Sequence, residues 1–217
     1  MNILMDTALS TKIDAINAVL DSIGEVGINS EEEIEWNIDA ASADKLIDRM
    51  SQTIQTNQGK GFWFNREEFH KFSPDPVNGY ITVPNNTLAC FIQRRNGEVL
   101  QVTMRDKVLF DTKELGYDMR DAVWSDGKVH CTLVVQLPYE ALPSTCKIAI
   151  TDAARFWFVN DKEGDQVKLQ SLKMAADTSI VSLQAEDSGQ KRRNMLNNPR
   201  IRNAIGTIGG SSNAGGW

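Results

Sequence analysis

Apolar residues in the first quarter of the chain recur at helical spacing. Leu9, Ile13, Ile16, Leu20 and Ile23 are four, three, four and three residues apart, while Asp14, Asn17 and Asp21 fall mainly on the opposite side. This is the stripe of an amphipathic helix, with Asp6, Thr7 or Ser10 able to cap its start and Gly24 placed to end it. Glu31-Glu32-Glu33-Ile34-Glu35 reads as a solvated acidic connector. Ala43, Leu46, Ile47, Met50 and Ile54 then share one face of a second helix, opened by Asp39 or Ser42 and fading in the polar run Thr56 to Gly61.

From Phe62 the period changes. Phe62-Trp63-Phe64 is bulky and strand-favouring, Pro74 to Gly79 is turn chemistry, and Tyr80 to Val83 is a short strand stopped by Pro84. Asn96-Gly97 between 88–94 and 98–104, and Asp126-Gly127 between 122–124 and 129–137, are hairpin signals. Lys107 to Asp111 adds another short strand. Val129, Cys131, Leu133, Val135 and Leu137 alternate, so that strand buries one face and leaves His130 on the other. Helical spacing returns after Pro143 with Ile148, Ala149, Ala153, Phe156 and Trp157. A polar link at 160–165 leads to a fourth helix carrying Leu169, Leu172, Ala176 and Leu183, ending near Glu186.

The pattern predicts an α+β protein. Residues 1–60 and 138–187 form a four-helix bundle, 61–137 an inserted antiparallel β-domain (a small sheet or open barrel), and 188–217 an extended C-terminal arm. Gly61-Phe62-Trp63-Phe64-Asn65 and Leu137-Pro138-Tyr139-Glu140-Ala141-Leu142-Pro143 are the two seams. The arm is basic and then rich in glycine and serine. By itself it buries too little to offset roughly 1–2 kcal/mol of ordering entropy per residue, so a partner must order it.

Charge sharpens this division. The 217 residues carry a net −6, but no acid follows Asp187, whereas Lys191, Arg192, Arg193, Arg200 and Arg202 do. The preceding body therefore holds 18 of the 23 basic residues against all 29 acidic ones. An acidic body with a basic tail directs the tail to an acidic surface. No apolar run approaches a membrane span, and Met1 to Asp6 does not resemble a signal peptide, which predicts a cytosolic or cytosol-assembled protein.

Candidate chemistry is sparse. Cys90, Cys131 and Cys146 are odd in number and widely spaced, which favours small buried residues over disulfides or a zinc site. His70 and His130 fit no metal or nucleophile–base pattern. Gly206-Thr207-Ile208-Gly209-Gly210 lacks the lysine and helix of a phosphate loop. No catalytic residue, metal or cofactor is predicted. The enzymatic alternative is a glycan or peptidoglycan hydrolase using Glu67 and Glu68 beside Trp63 and Phe64. Phe91 with Arg94 and Arg95 could stack on nucleic acid, but an acidic body opposes that except as DNA passing through a lumen.

Four stretches, in order, resemble the tail tubular protein A family of short-tailed bacteriophages. They are Ile16 to Glu25 ending in Ile-Gly-Glu, Gly61 to Glu67, Gly79 to Pro84, and Leu137 to Pro143. Val26-Gly27 stands where many members have proline. The resemblance implies a head-to-tail adaptor, assembled as a twelve-subunit ring around the DNA channel, between the portal protein and a nozzle protein similar to tail tubular protein B. It implies that the arm embraces the portal through Arg192, Arg193, Arg200, Ile201, Arg202, Ile205 and Trp217, and that genomic DNA passes without specific binding and no membrane is involved. A head-completion protein of a long-tailed phage is the alternative of the same kind.

Overall fold

The computed structural model describes residues 9–93, 99–162 and 165–196, the last five by backbone only. It is a mixed α+β structure with antiparallel sheets. The helices are α1 (Lys12–Asp21), α2 (Ile38–Thr56), α3 (Ser144–Lys162) and α4 (Gln166–Leu196). Between α2 and α3 lie β1 (Arg66–Phe72), β2 (Thr87–Gln93), β3 (Val99–Leu100), β4 (Val102–Arg105), β5 (Val108–Asp111) and β6 (Val129–Val135).

The stripes of α1, α2 and α3 meet in one core that α4 joins only near its C-terminal half, while Leu169 and Leu172 of α4 pack in a separate small cluster with Val159 of α3. Ile16, Val19 and Leu20 of α1, Ala43, Ile47 and Met50 of α2, and Ala149, Ile150, Ala154 and Phe158 of α3 form one buried cluster with Leu183 of α4. The start of α1 differs from expectation. Thr11 is the N-cap, and its hydroxyl and Asp14 form a reciprocal capping box. Asn37, not Asp39 or Ser42, caps α2 by accepting from the N–H groups of Asp39 and Ala40. The acidic connector is a 3-10 turn over Glu31–Glu35. Its Ile34 packs against the helical cluster, which gives the run a fixed side.

The insertion has a second core, built from Ile81, Cys90, Ile92, Leu109, Met119, Val129, Cys131 and Leu133. One sheet has strand order β1-β6-β2-β3, and β4 pairs with β5 in a separate one. The alternation of β6 holds over its first part, with Val129, Cys131 and Leu133 inward and His130 half-buried outside, but ends at Val134, which is also fully buried, on the side that meets Gly61. Three readings are corrected. Phe62-Trp63-Phe64 is not strand: it belongs to a turn whose Phe62 enters the helical core, because tertiary burial outweighs β-preference. Residues 122–124 are not strand either; a 3-10 turn covers Arg120–Ala122. The segment Glu98 to Met104 is broken into β3 and β4 at Gln101. Asn96-Gly97 lies outside the described residues, although its flanks pair as Ile92 with Leu100 and Gln93 with Val99.

Both seams close on two buried amides. Asn65 Nδ2 donates to the carbonyls of Gln55 (2.9 Å) and Val135 (3.0 Å), and its Oδ1 accepts from Phe62 N–H at 2.8 Å. Gln55 Nε2 donates to Leu137 O at 3.0 Å while its Oε1 accepts from Leu137 N–H at 2.8 Å. Gly61 sits at φ +60°, where a Cβ would come within 2.8 Å of Val134 Cγ1. Only glycine lets the turn approach β6 so closely.

Candidate assembly surfaces

The fourth helix is the longest element among the described residues and leads toward the basic C-terminal segment. It has 31 residues, about 46 Å, and runs ten residues beyond the expected end near Glu186. Near its C-terminal part it is fastened to both the seam and α3. Buried Asp187 accepts from Trp63 N–H at 3.0 Å and from Lys191 Nζ, and Glu186 accepts from Thr145 Oγ1 at 2.6 Å. Arg192 and Arg193 fall on its last turns, with side chains outside the description. Arg200, Ile201, Arg202, Ile205 and Trp217 lie outside the described residues, so none of the expected arm contacts is brought together here.

The outer face of α4 carries a second apolar stripe. Leu169, Leu172, Ala176 and Leu183 face inward, while Val167, Met174 and Val181, seven residues apart, are exposed. Met174 is 65% exposed and, with Ile148 of α3, borders a groove of about 610 Å³ between the two helices. Asp152 also lines it, and burial raises its carboxyl above the usual range.

The sheet presents another exposed face. Phe69, Phe91 and Val99 border a groove of about 430 Å³ together with Trp124, whose ring stacks on His130 at 4.3 Å. Phe69 is 81% exposed and sits at φ +65° in a bulge where the β1–β6 register shifts. A bulky residue in that conformation is strained, and edge bulges oppose pairing with other strands. Below it, Asp126 accepts from Lys71 at 2.9 Å and meets His130 Nε2 at 2.8 Å; Lys71 first, then His130, hold its carboxyl below the usual range.

At the other end of the helices, α2 and α3 enclose a smaller groove of about 320 Å³, with Lys45 and Arg49 on its rim and Leu46 and Phe158 at its base. Trp36, directly after the acidic connector, and Ile38, at the start of α2, are exposed, Trp36 at 86%. The sequence reading overlooked both places. A lone Trp after a run of glutamates, and two bases one helical turn apart, were the available signals.

Glu67 and Glu68 stand on the edge strand. Glu68 pairs with Arg66 at 2.8 Å, and Glu67 lies 3.4 Å from His70 Nδ1. Both side chains are about half exposed, unlike the desolvated setting that equips a carboxyl as a general acid. The three cysteines are free and buried, and burial pushes the Cys146 thiol up to about 12, leaving it protonated and unreactive. Among the described residues no group of three or more His, Cys, Asp or Glu is placed to hold a metal ion, and no helix is long and apolar enough to cross a membrane. Arg94 and Arg95, the suggested partners of Phe91, lie outside the described residues.

Comparison with known proteins returned one finding that bears on these surfaces. A family model described as "Tube: Tail tubular protein" matches residues 13–204. No curated protein matches the sequence.

Proposed function

The chain belongs to the tail tubular protein family, structural components of the bacteriophage tail and hence of the virion, and from that premise we propose that it is the adaptor joining a phage portal to the tail nozzle. In this reading the four helices act as one bundle, 61–137 is an inserted domain, and the chain after Leu196 is an arm that becomes ordered on the portal, continuing from the last turns of α4. Arg192, Arg193, Arg200 and Arg202 pair with portal carboxylates, and Ile201, Ile205 and Trp217 fill apolar pockets beside them. Twelve copies form a ring whose opposite face receives the nozzle protein. Its lumen passes DNA without holding it, which the excess of acids in the body supports by repelling phosphates.

The observation that carries this proposal is the family match, which runs from α1 through α4 and into the basic segment. The geometry at the base of the arm supports it: α4 is tied to the seam through Asp187 and Trp63, so a load on the arm reaches both cores. An arm that orders only on its partner also delays attachment until a portal is present, because its ordering entropy is offset only there.

The test is a chain ending at Leu196, which retains α4 and the Lys191–Asp187 contact. It should keep the thermal midpoint of the full chain while its affinity for purified portal rings falls by at least about 100-fold, or ~2.7 kcal/mol. Unchanged portal binding would overturn the adaptor reading.

A further inference from the structure

Two surfaces at the end of the helices away from the sheet are unused within the protomer, and their chemistry is complementary. The first is the connector between α1 and α2. Glu31, Glu32, Glu33 and Glu35 form no ion pair among the described residues, and the next residue, Trp36, leaves nearly its whole indole in water. Ile38, at the start of α2, is also exposed. Ile34 anchors this connector to the helical core, so Trp36 projects from a supported turn.

The second surface is the groove on α2 and α3. Lys45 and Arg49 lie four residues apart on α2, both exposed, and neither side chain has a hydrogen bond or ion pair among the described residues. Leu46 and Phe158 supply an apolar base. Lys162 closes one side, paired with Asp39 and 5.5 Å from the centroid of the Phe158 ring; Asp161 is the one acid in the lining. The groove has a volume of about 320 Å³.

We propose that these surfaces are the two halves of a head-to-tail contact between copies of this chain. Trp36 of one copy seats on Leu46 and Phe158 of the next, and the connector glutamates face Lys45 and Arg49. The identity of the partner as a second copy rests on the ring reading above; the pairing rests on charge and shape. An aromatic anchor on an apolar base inside a charged rim has the anatomy of an interface hot spot. A phosphate ligand would suit the bases but not the apolar floor or Asp161. The groove residues of α2 begin four residues after Ile38 and end eleven after it, about 6–16 Å further along the helix. Rotation about an axis roughly along the helices can bring one copy's connector to the next copy's groove. In the head-to-tail arrangement proposed, the two halves of one copy engage different neighbours, so the contact propagates to a ring or filament instead of stopping at a pair.

Sedimentation of the full chain over a range of concentrations, at low and high salt, tests this. Wild-type protein should self-associate, less so at high salt. Trp36→Ala and Arg49→Glu should each lower the association constant by at least about tenfold without changing the melting curve, since both side chains are exposed. A chain carrying Lys45→Glu and Arg49→Glu together with Glu32→Arg and Glu35→Arg restores the charge pairing in reverse and should recover association. Association of both single variants at the wild-type level would overturn the contact while leaving the ring reading intact. Failure of the reversed chain to recover would overturn the charge pairing. A wild-type chain that stays monomeric throughout would overturn the proposal itself, while portal binding is decided by the truncation above. Loss of DNA retention by Arg49→Glu, with self-association unchanged, would reassign the groove to phosphate.

Discussion

Asp126 shows how one exposed carboxylate organises the outer sheet face. Lys71 and His130 both reach it, and His130 in turn stacks on Trp124. Its folded-state pKa lies below the ordinary value of 3.8. For a depressed acid the stabilisation is present above the unfolded pKa and is lost as pH falls through the folded one. Asp126→Asn should therefore lower the urea midpoint at pH 6, and the gap from wild type should close as pH drops below about 3. A gap independent of pH would assign the effect to packing. The histidine's outward position was readable from the alternation of β6, but its partners were not. Lys71 is 55 residues from Asp126, and a single chain's pattern carries no record of such a pairing. The same holds for Asn65 and Gln55, whose value lies in carbonyls and amides brought from distant segments.

Among the elements, α4 has two faces with different duties. Leu183 is fully buried in the helical core, whereas Met174, nine residues earlier, is exposed on the outer stripe. Leu183→Ala should cost about 2–5 kcal/mol in urea unfolding, and Met174→Ala should stay within ~0.5 kcal/mol. Equal losses would mean that the outer stripe is already covered within one chain. The inner stripe made this helix legible, and its polar continuation hid its length. Asp187-Ser188-Gly189-Gln190 reads as a stop, yet the helix proceeds, held by Asp187 against Trp63. Strand β1 was missed for a related reason. Arg66-Glu67-Glu68-Phe69-His70-Lys71-Phe72 has no clean alternation because it is an edge, secured by backbone pairing with β6. Conversely, Phe62-Trp63-Phe64 has strand composition but serves the seam.

In the molecule as a whole, two cores meet through a narrow polar junction. Leu137 touches both hydrophobic clusters, and Asn65 and Gln55 hydrogen-bond across the crossings. Asn65→Ala would leave the Gln55 and Val135 carbonyls without this donor and Phe62 N–H without its acceptor, at a cost of about 2–4 kcal/mol. The loss should fall on coupling as well as on stability. Tryptophan fluorescence and far-UV circular dichroism, coincident for the wild type in urea, should separate in the variant. Coincident curves would show that apolar contact alone holds the cores together. The broad plan, helices before and after a β-rich insertion, was visible because each core advertises its own period. The surfaces through which copies and partners would meet were not, since an exposed Trp or Lys has the same letter whether it is solvated or awaits a neighbour.

The insertion begins and ends at nearly the same point: Val135 N–H donates to Asn65 O at 2.9 Å. A chain that leaves the helices and returns within one hydrogen bond closes a circuit around everything in between. The sheet is therefore a replaceable cassette. Lengthening a loop within 66–134, or exchanging that stretch for another fold with adjacent ends, leaves the path of the four helices unchanged.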